Sequence, residues 1–225
     1  MNARRKKILC FSAHPDDEIG GAGGFLLKAR AQGAAVQLVL ACDGASQKGE
    51  RSAAEERRIR LKEFKEVGRR LGAATIFLDF PRYFSLDLPQ TILPCVEAIR
   101  KFRPDIVLVP HRDERHAEHA ALYHIVREAC WVAKGKRFSD RGRPWAIQEL
   151  REYELDTPLT IVTDLEDITD VASAKEQLFK VYASQLANKD HLEAMRGLSR
   201  YRAIVGRCGE FAEAFRTTRQ LVFPS

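Results

Sequence analysis

The stretch FSAHPDDEIGGAGG, Phe11 to Gly24, sets a histidine and three acidic side chains between an apolar run and a series of glycines. Many α/β proteins keep a phosphate-binding glycine loop at this place, directly after the first strand. Backbone N–H groups of such a loop attract an anion, whereas Asp16 and Asp17 bring negative charge to the same spot. A cation removes the conflict. Gly20, Gly21, Gly23 and Gly24 then serve close packing of a helix on a strand rather than a ligand.

Outward from this turn, short apolar runs alternate with helical patterns. Lys7–Ala13 reads as a strand, Gly20–Gln32 as a helix closed by Gly33, and Val36–Cys42 as a second strand. Ala53–Leu71 repeats apolar residues at helical spacing and stops at Gly72. Thr75–Leu78 is a third strand, Ile92, Val96 and Ile99 mark the inner face of a further helix, and Ile106–Val109 is a fourth strand. A helix follows Glu118 to about Lys134, and then a polar basic loop, KGKRFSDRGRP, that looks mobile or functional. Glu149–Leu155 and Leu159–Val162 read as edge strands, Ala172–Leu186 and the segments after it as mostly helical. The C-terminal LVFP suits an edge strand or an interface between copies. The pattern predicts an α/β fold: a Rossmann-like, doubly wound, mostly parallel sheet with helices on both faces. The whole of 1–225 is expected to form a single domain.

Ligands of an open α/β sheet lie outside the carboxyl ends of its strands, where His14 to Glu18 fall. His14 and Asp17, three apart in a tight turn, suit zinc or a similar divalent ion. A third ligand is expected from PHRDERHAEH after the fourth strand, where His116 and His119 are neighbours on a helix. His14, Asp17 and His119 leave one coordination position open for water, and Asp16 is placed to take its proton. Each cluster alone has a plainer reading, a capped turn for H-P-D-D and surface helix positions for the histidines. Two clusters after two apolar strands favour the metal. Glu18 reads as a helix cap or as a brace for a ligand, and His111 as a supporting or loop residue.

The bulk properties bound the remaining classes. The 225 residues carry a formal net charge of +6, with a pI near 9.1, but the basic residues are interleaved with 31 acidic ones and show no nucleic-acid-reading pattern. The basic Met1–Lys7 segment is followed by too short an apolar run for a signal peptide, and no stretch approaches a membrane span. Cys10, Cys42, Cys95, Cys130 and Cys208 are odd in number and lack any C-x-x-C pair, which points to a reducing cytoplasm. Arg112, Arg115, Lys136, Arg137, Arg141 and Arg143 fall in the two loops expected nearest the site, a field that suits an anionic substrate.

AHPDDE (Ala13–Glu18) after a strand, with H-x-[DE]-H at His116–His119, resembles the LmbE-like, or PIG-L, zinc-dependent N-acetylglucosaminyl deacetylases. The likeness extends through Arg60, the YASQ at Tyr182–Gln185 and the AEAF at Ala212–Phe215. It implies Zn2+ on His14, Asp17 and His119, Asp16 as general base, His116 as an imidazolium at the reaction centre and Arg60 as a substrate contact. The substrate would be a small N-acetylated sugar conjugate. Two departures stand out. HAEH replaces the usual H-P-D-H, so Glu118 must hold His116 with one more methylene, and Ala146 occupies the approximate place of a substrate arginine, leaving Arg143 or Arg141 to substitute. The same metal site also suits another amide or a phosphoester. A nucleotide-binding module rests only on GGAGG.

Overall fold

Alternate residues of KILCFS, strand β1 (Lys7–Ser12), pack into different cores: Leu9 and Phe11 into one, Ile8 and Cys10 into the other. A strand whose two faces are both apolar must be covered on both. The computed structural model describes residues 5–46, 51–186 and 190–219. β1 is followed by α1 (Asp17–Ala31), β2 (Ala35–Leu40), α2 (Ala53–Leu71), β3 (Ala74–Phe77), α3 (Leu93–Phe102), β4 (Ile106–Pro110) and α4 (Ala117–Lys134). Then come β5 (Glu149–Tyr153), β6 (Asp164–Asp167), α5 (Ala172–Phe179), α6 (Ala183–Leu186), α7 (His191–Gly206) and β7 (Ala212–Arg219).

The seven strands lie in the order β3-β2-β1-β4-β5-β7-β6. The first five run parallel, and β7 is antiparallel to both β5 and β6. Leu9, Val39, Val107 and Val109 face Val96, Ile99, Leu122 and Val126 on α3 and α4. Ile8, Leu38, Leu40 and Leu108 face Leu26, Phe64 and Val67 on α1 and α2. The sheet is thus wound on both sides, as its sequence predicts.

The third quarter of the chain differs from expectation. β5 lies between β4 and β7 and is no edge. Leu159–Val162 is not a strand; Leu159 is buried because its N–H and carbonyl are taken up by the Glu154–Arg202 pair, and the edge strand is the polar β6 just after it. The loop 134–144 is also not loose. Arg100 of α3, 2% exposed, sends its guanidinium to carbonyls of Ala133, Gly135 and Arg137, among others, and so fastens the loop to the end of α4. The four buried cysteines are free and sit in the core. LVFP and the extreme N-terminus lie outside the described residues, and no helix among those described is long and apolar enough to cross a membrane.

Candidate active site

The turn after β1 is held by Asp17. Its Oδ2 accepts the N–H groups of Ala13 and His14, both at 2.9 Å. That clamp keeps Asp16 at φ 111°, a left-handed conformation that costs a non-glycine residue on the order of 1–3 kcal/mol. α1 starts at Asp17, earlier than its glycines suggest. Those glycines are packing positions: a Cβ on Gly21 would lie 2.1 Å from Tyr153 and one on Gly24 2.5 Å from Ile168. Gly24 N–H is already bonded to Glu213, so no phosphate cradle is open here.

The first turn of α4, beside β1 across the sheet, brings its histidines over this clamp. His14 Nδ1 lies 3.2 Å from His119 Nε2. Asp17 Oδ1 is 3.5 Å from the same His119 nitrogen, and its Oδ2 is 4.0 Å from His14 Nδ1. His116 closes the group, with ring centroids 5.0 Å from His14 and 4.6 Å from His119. One donor atom from each of the three histidines lies within 4.8 Å of the others.

Carboxylates behind two of the imidazoles turn their lone pairs inward. Glu118 Oε2 accepts His14 Nε2–H at 2.6 Å, which leaves Nδ1 as the free lone pair. Glu118 is thereby corrected: its carboxylate meets His14 and not His116, because the first turn of α4 aims it across the sheet towards β1. Glu114 stands behind His119, Oε2 3.7 Å from Nδ1, and neither atom has a hydrogen-bond partner among the described residues. Glu114 is fixed there by the N–H groups of Leu155 and Thr157 and by His111. Two imidazole nitrogens and a carboxylate oxygen converging in this way, each imidazole backed by an acid, fit a divalent ion of the zinc type.

The electrostatics assign different protonation to similar groups. Burial would raise Asp17, but His119 and His14 outweigh it and hold its carboxyl far below the usual range. Burial pulls His119 down, yet Asp17 and Glu114 hold it up to about 10. Asp16 goes the other way: burial and the charge of Asp17 raise it well above an ordinary aspartate, with Arg60 opposing. Burial and the neighbouring His119 and His14 lower His116, so an imidazolium is disfavoured there. Its Nδ1 accepts Glu118 N–H at 3.3 Å, which puts the proton on Nε2 and makes the neutral ring a donor. Glu18 is buried, takes the Tyr182 hydroxyl, and burial raises it to about 7.

A cavity of about 280 Å³ opens over these groups, with His14, Asp16, Asp17, His116 and His119 in its wall. Arg60, buried, lines it as well, and so does Arg82, which no motif singles out. Arg115 points outward to Asp156, with 77% of its side chain exposed. Arg143 and its loop lie at the other end of the sheet. α4 carries the chain about 27 Å back along the sheet, and Trp145, two residues on, is bonded to Ala133 and Pro104 there. The expected arginine field from Lys136 to Arg143 is therefore absent from the site. The late motifs do reach it, for Tyr182 holds Glu18 and Gln185, Ala212 and Ala214 line the cavity.

Residues 9–130 match the family model PIG-L, GlcNAc-PI de-N-acetylase. The chain is 32% identical over 203 residues to the diacetylchitobiose deacetylase of Thermococcus kodakarensis, covering 80% of this chain and 70% of that protein. It is 28% identical over 194 residues to the 1D-myo-inositol 2-acetamido-2-deoxy-alpha-D-glucopyranoside deacetylase of Thermomonospora curvata, covering 72% of this chain and 64% of the relative. Its fold superposes on the N,N'-diacetylchitobiose deacetylase of Pyrococcus horikoshii with a TM-score of 0.84 at 24% identity, over 98% of this chain and 88% of that one.

Proposed function

The chain belongs to the PIG-L family of metal-dependent N-acetyl hydrolases, and we propose that it is a zinc enzyme of the cytoplasm that deacetylates a small N-acetylglucosamine-type sugar conjugate. In this reading residues 1–225 act as a single catalytic domain, and acetate and the free amino sugar are the products. The observation that carries it is the meeting of His14 Nδ1, His119 Nε2 and Asp17 at the cavity wall, with Asp16 next in the chain and His116 beside them.

His14, Asp17 and His119 would hold the ion, with Glu118 and Glu114 orienting the two imidazoles. A divalent ion bound there supplies Lewis acidity, polarising a carbonyl and acidifying water. Asp16, its pKa raised by burial and by Asp17, takes the proton of the attacking water. His116 donates Nε2–H to the oxygen on which negative charge develops. The proton on Asp16 is then available to the departing amine. The left-handed turn sets Asp16 in the cavity wall with the ligand residues.

Acetate release from N-acetylglucosamine conjugates, measured with Asp16→Asn, tests the assignment. We expect the variant to keep its metal and lose about 10²–10⁴ in rate. Wild-type turnover in that variant removes Asp16 from the role.

A further inference from the structure

The N–H groups of Gly24 and Phe25 lie in the interior of α1, where such donors ordinarily serve carbonyls four residues back. Here they donate to one carboxylate from outside the helix, Gly24 N–H to Glu213 Oε1 at 2.7 Å and Phe25 N–H to Glu213 Oε2 at 2.8 Å. Lys175 of α5 completes the arrangement. Its Nζ lies 2.8 Å from Glu213 Oε1 and donates at 2.9 Å to Gly20 O, the carbonyl four residues before Gly24. An ion pair is thus wedged against the backbone of α1, one turn behind Asp16 and Asp17.

The glycines make room for it. A Cβ on Gly23 would stand 3.2 Å from Lys175 Cγ, so the run GGAGG bares the backbone groups that the two side chains hold. The side chains of Lys175 and Glu213 are only 3% and 2% exposed. A buried ion pair seldom stabilises a fold more than an apolar pair of the same volume, so stability alone does not account for this one. Its connection to the site does. Gly20, whose carbonyl Lys175 holds, gives its own N–H to Asp16 O at 2.8 Å. Asp16 is left-handed, and a strained residue persists only where its surroundings over-determine it. Asp17 fixes the chain before it through Ala13 and His14, and Gly20 fixes it from behind. The Tyr182 hydroxyl, on Glu18, grips the same turn.

We propose that Lys175 and Glu213 are positioning residues of the reaction, a strut that acts through Gly20 to hold Asp16 with its carboxylate towards the reacting water. This rests on the deacetylase reading, in which Asp16 is the base. It gives the late AEAF segment a task at the first motif, since Glu213 is its acid. Both side chains also line the cavity, so the test separates positioning from direct contact with substrate.

Two measurements on the zinc-loaded enzyme do so. The first is acetate release from N-acetylglucosamine. Lys175→Met is expected to lower kcat about 10²-fold with KM within about threefold of the wild type, and Lys175→Arg, which keeps a donor for Gly20 O, to fall between. Placed on Asp16→Asn, Lys175→Met is expected to cause no further loss of rate, because the group it positions is already gone. An unchanged kcat, a change confined to KM, or a second loss in the Asp16→Asn background overturns the proposal. The second is amide hydrogen exchange, which needs no substrate. In Lys175→Met the Gly20 N–H is expected to exchange about 10- to 100-fold faster, as loss of one charge-assisted hydrogen bond implies, with the amides of β4 unchanged. A Gly20 amide that is unchanged, or that changes only together with β4, overturns the strut. Lys175→Met combined with Glu213→Gln removes both charges at once and is read in the same way should the single variant not fold. If the wild type releases acetate from no N-acetylated sugar, the deacetylase reading alone fails and the Gly20 amide still decides the strut.

Discussion

Arg60 and Arg100 are both buried arginines on helices that flank the sheet, and they lie at its opposite ends. Arg100 spends its donors on loop and helix-end carbonyls, including those of Val132, Ala133, Gly135 and Arg137. Arg60 meets Gly44 O and keeps a buried Nε without a hydrogen-bond partner among the described residues. The same contrast runs through the two ends. Around Arg100, Trp145 Nε1 is bonded to Pro104 O, and Asp105 accepts Lys7 N–H. At the Arg60 end, Asp16 sits in a left-handed conformation, and Glu114 Oε2 and His119 Nδ1 also lack a hydrogen-bond partner among the described residues. The Arg100 end has exceptions of its own, Arg103 and Phe138 in left-handed conformations and an Arg141 Nε without a hydrogen-bond partner among the described residues, but they lie in a helix cap and a loop, whereas those at the Arg60 end converge on one cavity.

The comparison breaks most readily at its extremes. The largest effect expected is kinetic, the loss of about 10²–10⁴ in Asp16→Asn, while its urea midpoint stays near that of the wild type because a strained, half-buried acid has been neutralised. Next is stability at the other end: Arg100→Ala strands several buried carbonyls and is expected to cost about 3–5 kcal/mol in urea unfolding. Arg60→Met, which removes an uncompensated charge, should stay within about 1 kcal/mol. Equal losses in the two variants would end the distinction between them.

Smaller effects sharpen it. Gly21→Ala drives a methyl group into the Tyr153 ring, and a loss of about 1–3 kcal/mol is expected. A pH effect follows from His119, which burial lowers but Asp17 and Glu114 hold up to about 10. An imidazolium cannot coordinate, so ion binding at pH 7 must expel close to one proton. Affinity should therefore rise about tenfold per pH unit through neutrality and level off only above the raised pKa. Titrations in buffers of different ionisation enthalpy read the proton directly, and a pH-independent affinity would contradict the placement of His119 in the ion's shell.

The parallel half of the fold is legible because β1, β2 and β4 are short, largely buried apolar runs, and the helices between them stop at Gly33, at Gly72, before Pro104 and at Gly135. The antiparallel end is less so. DLED in β6 is a polar edge strand, and AEAFRTTR in β7 buries only its first half, so neither shows a clean period. At the site, HPDDE announces its chemistry because charge there contradicts a phosphate loop. What the sequence hides is direction. Glu118 precedes His119 and follows His116, yet its partner is His14, 104 residues away. Arg143 follows the metal-site helix in sequence but lies beyond that helix's far end. Arg82 and Glu114 carry no sequence motif, since their partners are set by sheet order: Arg82, after β3, meets the segment after its neighbour β2, and Glu114, after β4, meets the segment after its neighbour β5.

The most direct measurement is the zinc content of the purified wild type and of His119→Ala, each after exposure to zinc and removal of excess. We expect about one ion per chain in the wild type and none in the variant, with the fold retained. Zinc held equally by both proteins, or taken up by neither, would contradict the assignment of this end of the sheet as a metal-dependent active site.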